Sequence, residues 1–221
     1  MEIKIYTADV GPLSDERLFR ALYERVSAGR REKTDRMRFE KDKRLTLGAG
    51  ALLETALAAE GVDDFTMAEE QNHKPCLAGR PALKFNLSHS GTKVLCALSD
   101  CDIGCDVEAV REIDMKIARR FFFAGEYEAL LRCPPGERGE LFFRFWTCKE
   151  SFMKATGLGL ALPLGDFCVL LEGDAPRVRQ QVDGRSYYFK EFDRGDAYRY
   201  AVCSAGKPLG DTGMTEVFFE R

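Results

Sequence analysis

Ile103-Gly104-Cys105-Asp106-Val107-Glu108 reads as an extended strand with an unusual load. Side chains of a strand point to opposite faces in turn, so Asp106 and Glu108 share one face and Cys105 and Val107 the other. At about 3.3 Å per residue the two carboxylates lie roughly 6.6 Å apart along the strand. That is too far to share a proton and suits a single hard cation held between them. Magnesium fits, because it takes one or two protein carboxylates and completes its octahedron with water and phosphate oxygens. Two acids on the wet face of an edge strand would look the same, so the flanking residues decide between the readings.

Composition narrows the classes. The 221 residues suffice for one large domain or two small ones, and an apolar fraction of 45% supplies a core. A net charge of -3 argues against bulk nucleic-acid affinity. The eight cysteines are scattered without a C-x-x-C pair, and there are only two histidines. They read as reduced, mostly buried thiols of a cytoplasmic protein, not as a disulfide or zinc framework. The opening Met-Glu-Ile-Lys-Ile-Tyr lacks a continuous apolar run, which makes it a strand and not a signal peptide. No later run is long enough to span a membrane.

Along the chain, a strand at 3–6 leads through Gly11-Pro12 into a helix capped by Ser14, with Leu18, Leu22 and Val26 at helical spacing and Gly29 as its stop. Residues 30–44 carry eight basic side chains against four acidic ones. Such a segment is either a solvated, salt-bridged face or a site for a multiply charged phosphate ligand. A helix at 45–59 follows, its Gly48-Ala49-Gly50-Ala51 run allowing close packing, and Gly61 ends it. Strands at 83–87 and 93–98 frame Ser88-His89-Ser90-Gly91, read as a hairpin tip whose hydroxyls, imidazole and N–H groups suit phosphate or ribose. A Ser/His hydrolase is disfavoured, since no G-x-S-x-G elbow is present.

Past the central strand, Asp114 caps a helix, a short one follows Gly125-Glu126, and a longer one spans about 140–156 to Gly157. On that helix Glu150 and Lys154 are four residues apart and share a face. The plain reading is a surface ion pair stabilising by about 0.2–0.5 kcal/mol; the functional one makes Glu150 a third carboxylate or a general base and Lys154 a phosphate clamp or proton donor. Lys149 is turned about 100° around the helix from Glu150. Phe142, Phe143, Phe145 and Trp146 read as core. From 167 onward the chain is mainly strands.

Four ordered motifs then resemble a family. Residues 85–91 (Phe-Asn-Leu-Ser-His-Ser-Gly), 103–108, Arg119-Arg120-Phe121-Phe122 with Glu126, and 146–154 (Trp-Thr-Cys-Lys-Glu-Ser-Phe-Met-Lys) are similar to the successive signatures of the Sfp-type 4′-phosphopantetheinyl transferases. The resemblance also takes in Arg31-Glu32-Lys33 and Lys74-Pro75. It implies an α/β (α+β) fold of two similar subdomains in a pseudo-dimer, with an N-terminal half at 1–102 and a C-terminal half at 103–221. It further implies a cytoplasmic monomer that moves the 4′-phosphopantetheine arm of coenzyme A to a serine of an apo carrier protein, with no nucleic-acid or membrane partner. The metal, Mg²⁺ with Mn²⁺ as the alternative, would sit on Asp106, Glu108 and Glu150. Glu150 would also act as base, and Lys154 would stabilise the leaving phosphate. Coenzyme A would meet Arg30, Lys33 and Arg44 at its phosphates, Lys74 on the adenine side, and Ser88 and His89 at the 3′-phosphate. Arg119, Arg120 and 121–123 would face the carrier. Two departures stand out: Cys105 replaces a branched aliphatic residue, and Lys41 stands where the family tends to have Asp, with Asp42 displaced by one. The rival functions are a non-catalytic coenzyme A or nucleotide-binding module and a magnesium-dependent phosphodiesterase.

Overall fold

The computed structural model describes residues 1–220. In chain order its elements are β1 (Lys4–Asp9), α1 (Glu16–Arg25), α2 (Ala28–Asp35), α3 (Glu40–Ala59), β2 (Met67–Glu69), β3 (Pro75–Leu77), β4 (Lys84–Ser90), β5 (Lys93–Ser99) and β6 (Ile103–Ala109). They continue with α4 (Met115–Phe121), α5 (Ala124–Arg132), α6 (Arg138–Thr156), β7 (Cys168–Leu170), β8 (Arg177–Arg179), β9 (Tyr187–Phe192), β10 (Tyr198–Ala205) and β11 (Met214–Glu216). One sheet has the order β11-β1-β5-β4 and another β6-β10-β9, with β2-β3 and β7-β8 as short pairs. All pairings are antiparallel except β1 with β11, so the end of the chain returns to the first sheet. The fold is mixed α+β.

Three apolar clusters hold it together. One lies between α1, α3 and the first sheet, with Leu47, Leu52, Leu57 and Val94 at its centre. A second packs α6 against the second sheet and α5 through Phe142, Phe145, Phe152, Phe167 and Phe189. Each buried aromatic or aliphatic side chain of this kind contributes about 1.5–3 kcal/mol. The third cluster joins the sheets: Ile103, Cys105 and Val107 of β6 meet Leu95 and Ala97 of β5 and Tyr200 and Val202 of β10. Strand alternation therefore sorts β6 as expected, its odd residues going into the joint and its even ones toward α6. At Cys105, where the family has a branched aliphatic residue, the thiol donates to the carbonyl of Asn86.

Several boundaries differ from the sequence expectations. Asp15, not Ser14, caps α1, accepting from the N–H groups of Arg17 and Leu18. That helix ends at Arg25, and Gly29 lies inside α2, whose cap is Ser27. Helix α3 begins at Glu40, five residues before the apolar periodicity does; its first turn carries Glu40 and Asp42, which suit the positive end of the helix dipole. Most consequential, Ser88-His89-Ser90 is no turn. It is the end of β4, with Ser88 opposite Leu95 and Ser90 opposite Lys93, and the chain reverses at Gly91-Thr92. Ser88 and Ser90 thus share one side of the strand and His89 the other.

Candidate active site

The site forms where β4, β6 and α6 meet. Gly104 sets the spacing of the last two: a Cβ there would stand 2.0 Å from the carbonyl oxygen of Ser151 and 2.5 Å from the N of Ala155. Only a residue without a side chain lets α6 lie this close to the strand. Asp106, two residues on and on the same side, then meets the last turn of α6. Lys154 Nζ donates to Asp106 Oδ1 at 2.6 Å, to Ser88 Oγ at 3.2 Å and to the Cys105 carbonyl at 3.1 Å. Ser88 Oγ donates to the same Oδ1 at 2.7 Å.

Between β4 and β6 there is no ladder of backbone hydrogen bonds. Alternate side chains of β4 take its place: Asn86 Oδ1 accepts the N–H of Cys105 at 2.8 Å, Ser88 Oγ that of Val107 at 3.3 Å and Ser90 Oγ that of Ala109 at 3.2 Å. Ser90 Oγ in turn donates to Glu108 Oε2 at 2.6 Å, and Arg111 reaches the same oxygen at 3.1 Å.

The electrostatics follow from burial. Asp106 is 4% exposed, and burial raises its pKa against the pull of Lys154 and Ser88, with Glu108 adding to the rise. Burial also opposes the charge on Lys154, but Asp106, Cys105 and Glu150 outweigh it and hold the lysine above its ordinary value. Glu150 makes no hydrogen bond or ion pair among the described residues; burial raises its pKa, Asp106 and Glu108 raise it further, and Lys154 pulls it down. The expected surface pair of Glu150 with Lys154 is therefore absent, because Asp106 takes the ammonium. His89 is exposed as a residue, yet the protein around its ring and then the charge of Lys154 lower its pKa.

Among the described residues no group of three or more His, Cys, Asp or Glu is gathered tightly enough to hold a metal ion. The three expected carboxylates are neighbours, with Asp106 turned to Lys154 and Glu108 to Ser90 and Arg111. One atom favours a cation all the same: Asp106 Oδ2 is buried without a hydrogen-bond partner. A carboxylate oxygen in that condition costs free energy unless something positive meets it, and the acids whose charges act on one another here, Asp106, Glu108 and Glu150, offer only oxygen ligands, as magnesium requires. The residues fit the ion.

The expected coenzyme contacts divide. Arg30 and Lys33 line one cavity of about 450 Å³ between α2, α3 and the β2-β3 pair, together with Glu54, Thr66, Met67 and Pro75. Gly50 makes room for the arginine, since a Cβ there would fall 1.9 Å from Arg30 Nε. Lys74, adjacent to Pro75, reaches out of this region to donate to the Lys154 carbonyl at 2.7 Å and the Ile103 carbonyl at 3.3 Å. It ties the cavity's edge to the end of α6. Arg44 lies on α3 and makes no hydrogen bond or ion pair among the described residues, whereas Asp42 is near enough for its charge to act on His89. Of the carrier-facing candidates, Phe121 and Phe123 are exposed beside Arg119 and Arg120, and Phe122 is core.

Sequence reasoning did not find the roles of Asn86 and Ser90, nor the partner of Lys149. That lysine is fully buried, 2.8 Å from Glu126 Oε1 and 2.8 Å from the Phe167 carbonyl. Glu126 also accepts from the N–H groups of Val169 and Phe123. This pair pins α5 and β7 to the side of α6 away from the site. The 100° turn from Glu150 was the signal that Lys149 faces elsewhere.

A mixed α+β chain that puts two strand carboxylates against a helical Glu and Lys, beside a cavity that Arg30 and Lys33 help to line, defines a class of phosphate-handling transferases. Comparison with known proteins gives the family. A profile described as the 4′-phosphopantetheinyl transferase superfamily matches residues 102–203. The chain is 35% identical over 184 residues to the 4′-phosphopantetheinyl transferase Sfp of Bacillus subtilis (strain 168), covering 81% of this chain and 82% of that one. It is 35% identical over 214 residues to the 4′-phosphopantetheinyl transferase ffp of Bacillus subtilis, covering 95% and 94%. To the 4′-phosphopantetheinyl transferase psf-1 of Bacillus pumilus it is 32% identical over 209 residues, covering 91% and 90%. The chain belongs to the Sfp-type 4′-phosphopantetheinyl transferases.

Proposed function

We propose that this enzyme moves the 4′-phosphopantetheine arm of coenzyme A onto a serine of an apo carrier protein in a Mg²⁺-dependent reaction, as a cytoplasmic monomer. The buried, unpartnered Asp106 Oδ2 beside Glu150 and Lys154 carries the reading. In the step, the carrier serine oxygen forms a bond to the phosphorus next to the pantetheine. The P–O bond to the second phosphate breaks, adenosine 3′,5′-bisphosphate leaves with the electron pair, and the serine proton passes to Glu150.

Asp106, Glu108 and Glu150 would hold Mg²⁺, or Mn²⁺ in its place, and the ion supplies charge neutralisation at the pyrophosphate. Glu150 has no bonding partner of its own, and its raised pKa suits a base better than an ordinary carboxylate would. Lys154 is kept protonated by its acidic neighbours and stands ready for the charge that grows on the leaving phosphate. The half at 1–102 would hold the coenzyme, with Arg30 and Lys33 in their shared cavity and Arg44 near the phosphates, Lys74 on the adenine side, and Ser88 and His89 at the 3′-phosphate. The half at 103–221 would bring the acids and α6. Carrier docking falls to Arg119, Arg120, Phe121 and Phe123, whose charge and apolar area match an acidic helix.

Intact-mass spectrometry of an apo carrier incubated with the enzyme, coenzyme A and Mg²⁺ tests the proposal. The expected result is a gain of about 340 Da on one serine, lost with EDTA. Release of adenosine 3′,5′-bisphosphate without a carrier would favour the phosphodiesterase instead.

A further inference from the structure

The side-chain seam between β4 and β6 does two things with the same atoms. Its three rungs, Asn86, Ser88 and Ser90, recur at every second residue and satisfy the N–H groups of Cys105, Val107 and Ala109, which point away from β10 and have no strand to pair with. A hydroxyl that accepts an N–H still has its own proton to place. Ser88 places it on Asp106 at 2.7 Å and Ser90 on Glu108 at 2.6 Å. Asn86 accepts through its amide oxygen and faces Cys105, so it carries no such second bond to an acid.

We propose that Ser90 is a positioning residue for the metal site. Held from behind by the Ala109 N–H, its hydroxyl fixes the rotation of the Glu108 carboxylate by engaging Oε2, and so directs Oε1 toward Asp106 and Glu150. Position 90 therefore requires a hydroxyl for a reason separate from strand pairing. Glu108 is only partly buried and Arg111, the other group on Oε2, is exposed on a long flexible stem. The short serine, seated in a strand, is the more rigid of the two partners. Groups that orient a metal ligand from behind typically cost 10- to 100-fold in metal affinity when removed. The inference rests on Glu108 being a ligand, and its test separates the two claims.

Mn²⁺ is titrated by electron paramagnetic resonance into the full-length protein saturated with coenzyme A, with free coenzyme titrated separately. Wild type, Glu108→Gln, Ser90→Ala, Ser90→Cys, Ser90→Thr and Asn86→Ala are compared. Ser90→Ala is expected to weaken Mn²⁺ binding by about tenfold, Ser90→Cys, with its weak donor, by somewhat less, and Ser90→Thr to return it to within about threefold of wild type. Asn86→Ala, which breaks a rung without freeing an acid, should lower Tm and leave Mn²⁺ affinity unchanged. If Glu108→Gln weakens the metal and Ser90→Ala and Ser90→Cys do not, Ser90 serves strand pairing alone and the proposal is wrong. If Glu108→Gln binds Mn²⁺ as wild type does, or wild type shows no protein-bound Mn²⁺, the assignment of Glu108 as ligand fails first and takes the proposal with it. Should Ser90→Ala not fold, Ser90→Cys against Ser90→Thr makes the same distinction.

Discussion

Lys154 Nζ lies 2.6 Å from Asp106 Oδ1, which joins the last turn of α6 to the middle of β6. The contact links the two motifs that carry the chemistry, and it depends on Gly104 having no side chain. Taking away the ammonium leaves a buried carboxylate with Ser88 as its one remaining donor. Lys154→Ala is therefore expected to lower kcat by about 10²- to 10⁴-fold. Asp106→Ala should remove most metal-dependent turnover. Near-native turnover in either folded variant, followed by carrier mass gain against time, would reduce the pair to a structural contact.

Glu150 yields a pH-dependent outcome. Burial first, then Asp106 and Glu108, raise its pKa while Lys154 opposes. The folded state thus holds this proton more tightly than the unfolded chain does. Its stabilising contribution is fully present below the unfolded value, near the ordinary 4.5, and is lost as pH rises through the folded one. At pH 7.5 the ionised carboxylate works against folding. Glu150→Gln should abolish turnover yet raise Tm by on the order of 2 °C at that pH, with the gain shrinking toward pH 4. Thermal unfolding at both pH values checks it; a gain that does not depend on pH would rule this explanation out.

Gly104→Ala probes the spacing itself. The added methyl would meet backbone atoms of α6 on two sides, so the helix must shift as a whole, and overpacking of this kind costs about 1–3 kcal/mol or more. The same shift pulls Lys154 from Asp106. Stability, by chemical denaturation, and turnover are expected to fall together. Loss of one without the other would show that the close approach does not set the site's geometry.

What can be read in the sequence is what repeats locally. The alternation of Cys105, Asp106, Val107 and Glu108 sorts the faces of β6 correctly, and the four-residue spacing puts Glu150 and Lys154 on one side of α6. Ser88-His89-Ser90 suggests a turn because these residue types favour turns and Gly91 follows. The extended form wins through bonds to β6, some nineteen residues further on in the chain, which no local pattern reports. The same holds for Lys154, whose partner is on a strand 48 residues away and not one helical turn back. Helix α3 begins early for a different reason: 40–44 is charged and without periodicity, and its helical state comes from its position at the head of a long buried helix.

Arg30 tests the coenzyme end. It shares a cavity with Lys33, and its guanidinium leans over Gly50 and donates to the Thr46 carbonyl at 3.3 Å. A point charge facing a phosphate acts on binding in ground and transition states alike, so its loss should appear in KM. Arg30→Ala is expected to raise the KM for coenzyme A about tenfold, the value of one charge-assisted hydrogen bond, with kcat and the KM for carrier little changed. An effect confined to kcat, or equal for both substrates, would place Arg30 outside the coenzyme site.

Lys149 and Glu126 test how α6 is anchored on its other side. Both are buried, and the carboxylate is satisfied by Lys149 and by the N–H groups of Val169 and Phe123. The ammonium also sits 4.1 Å from the centre of the Phe167 ring. Burial lowers the lysine's pKa and raises the glutamate's, so each charge is tolerated because of the other. Lys149→Ala leaves an unpaired buried carboxylate, at a cost of about 3–5 kcal/mol, or about 10 °C in Tm. Lys149→Met combined with Glu126→Gln removes both charges, retains an acceptor for one backbone N–H, and should recover about half of that loss. Circular dichroism melts of Lys149→Met, Glu126→Gln and the double variant give the coupling directly. Additive losses would mean that the two residues stabilise the fold independently, and that α6 is held at this face by its phenylalanines alone.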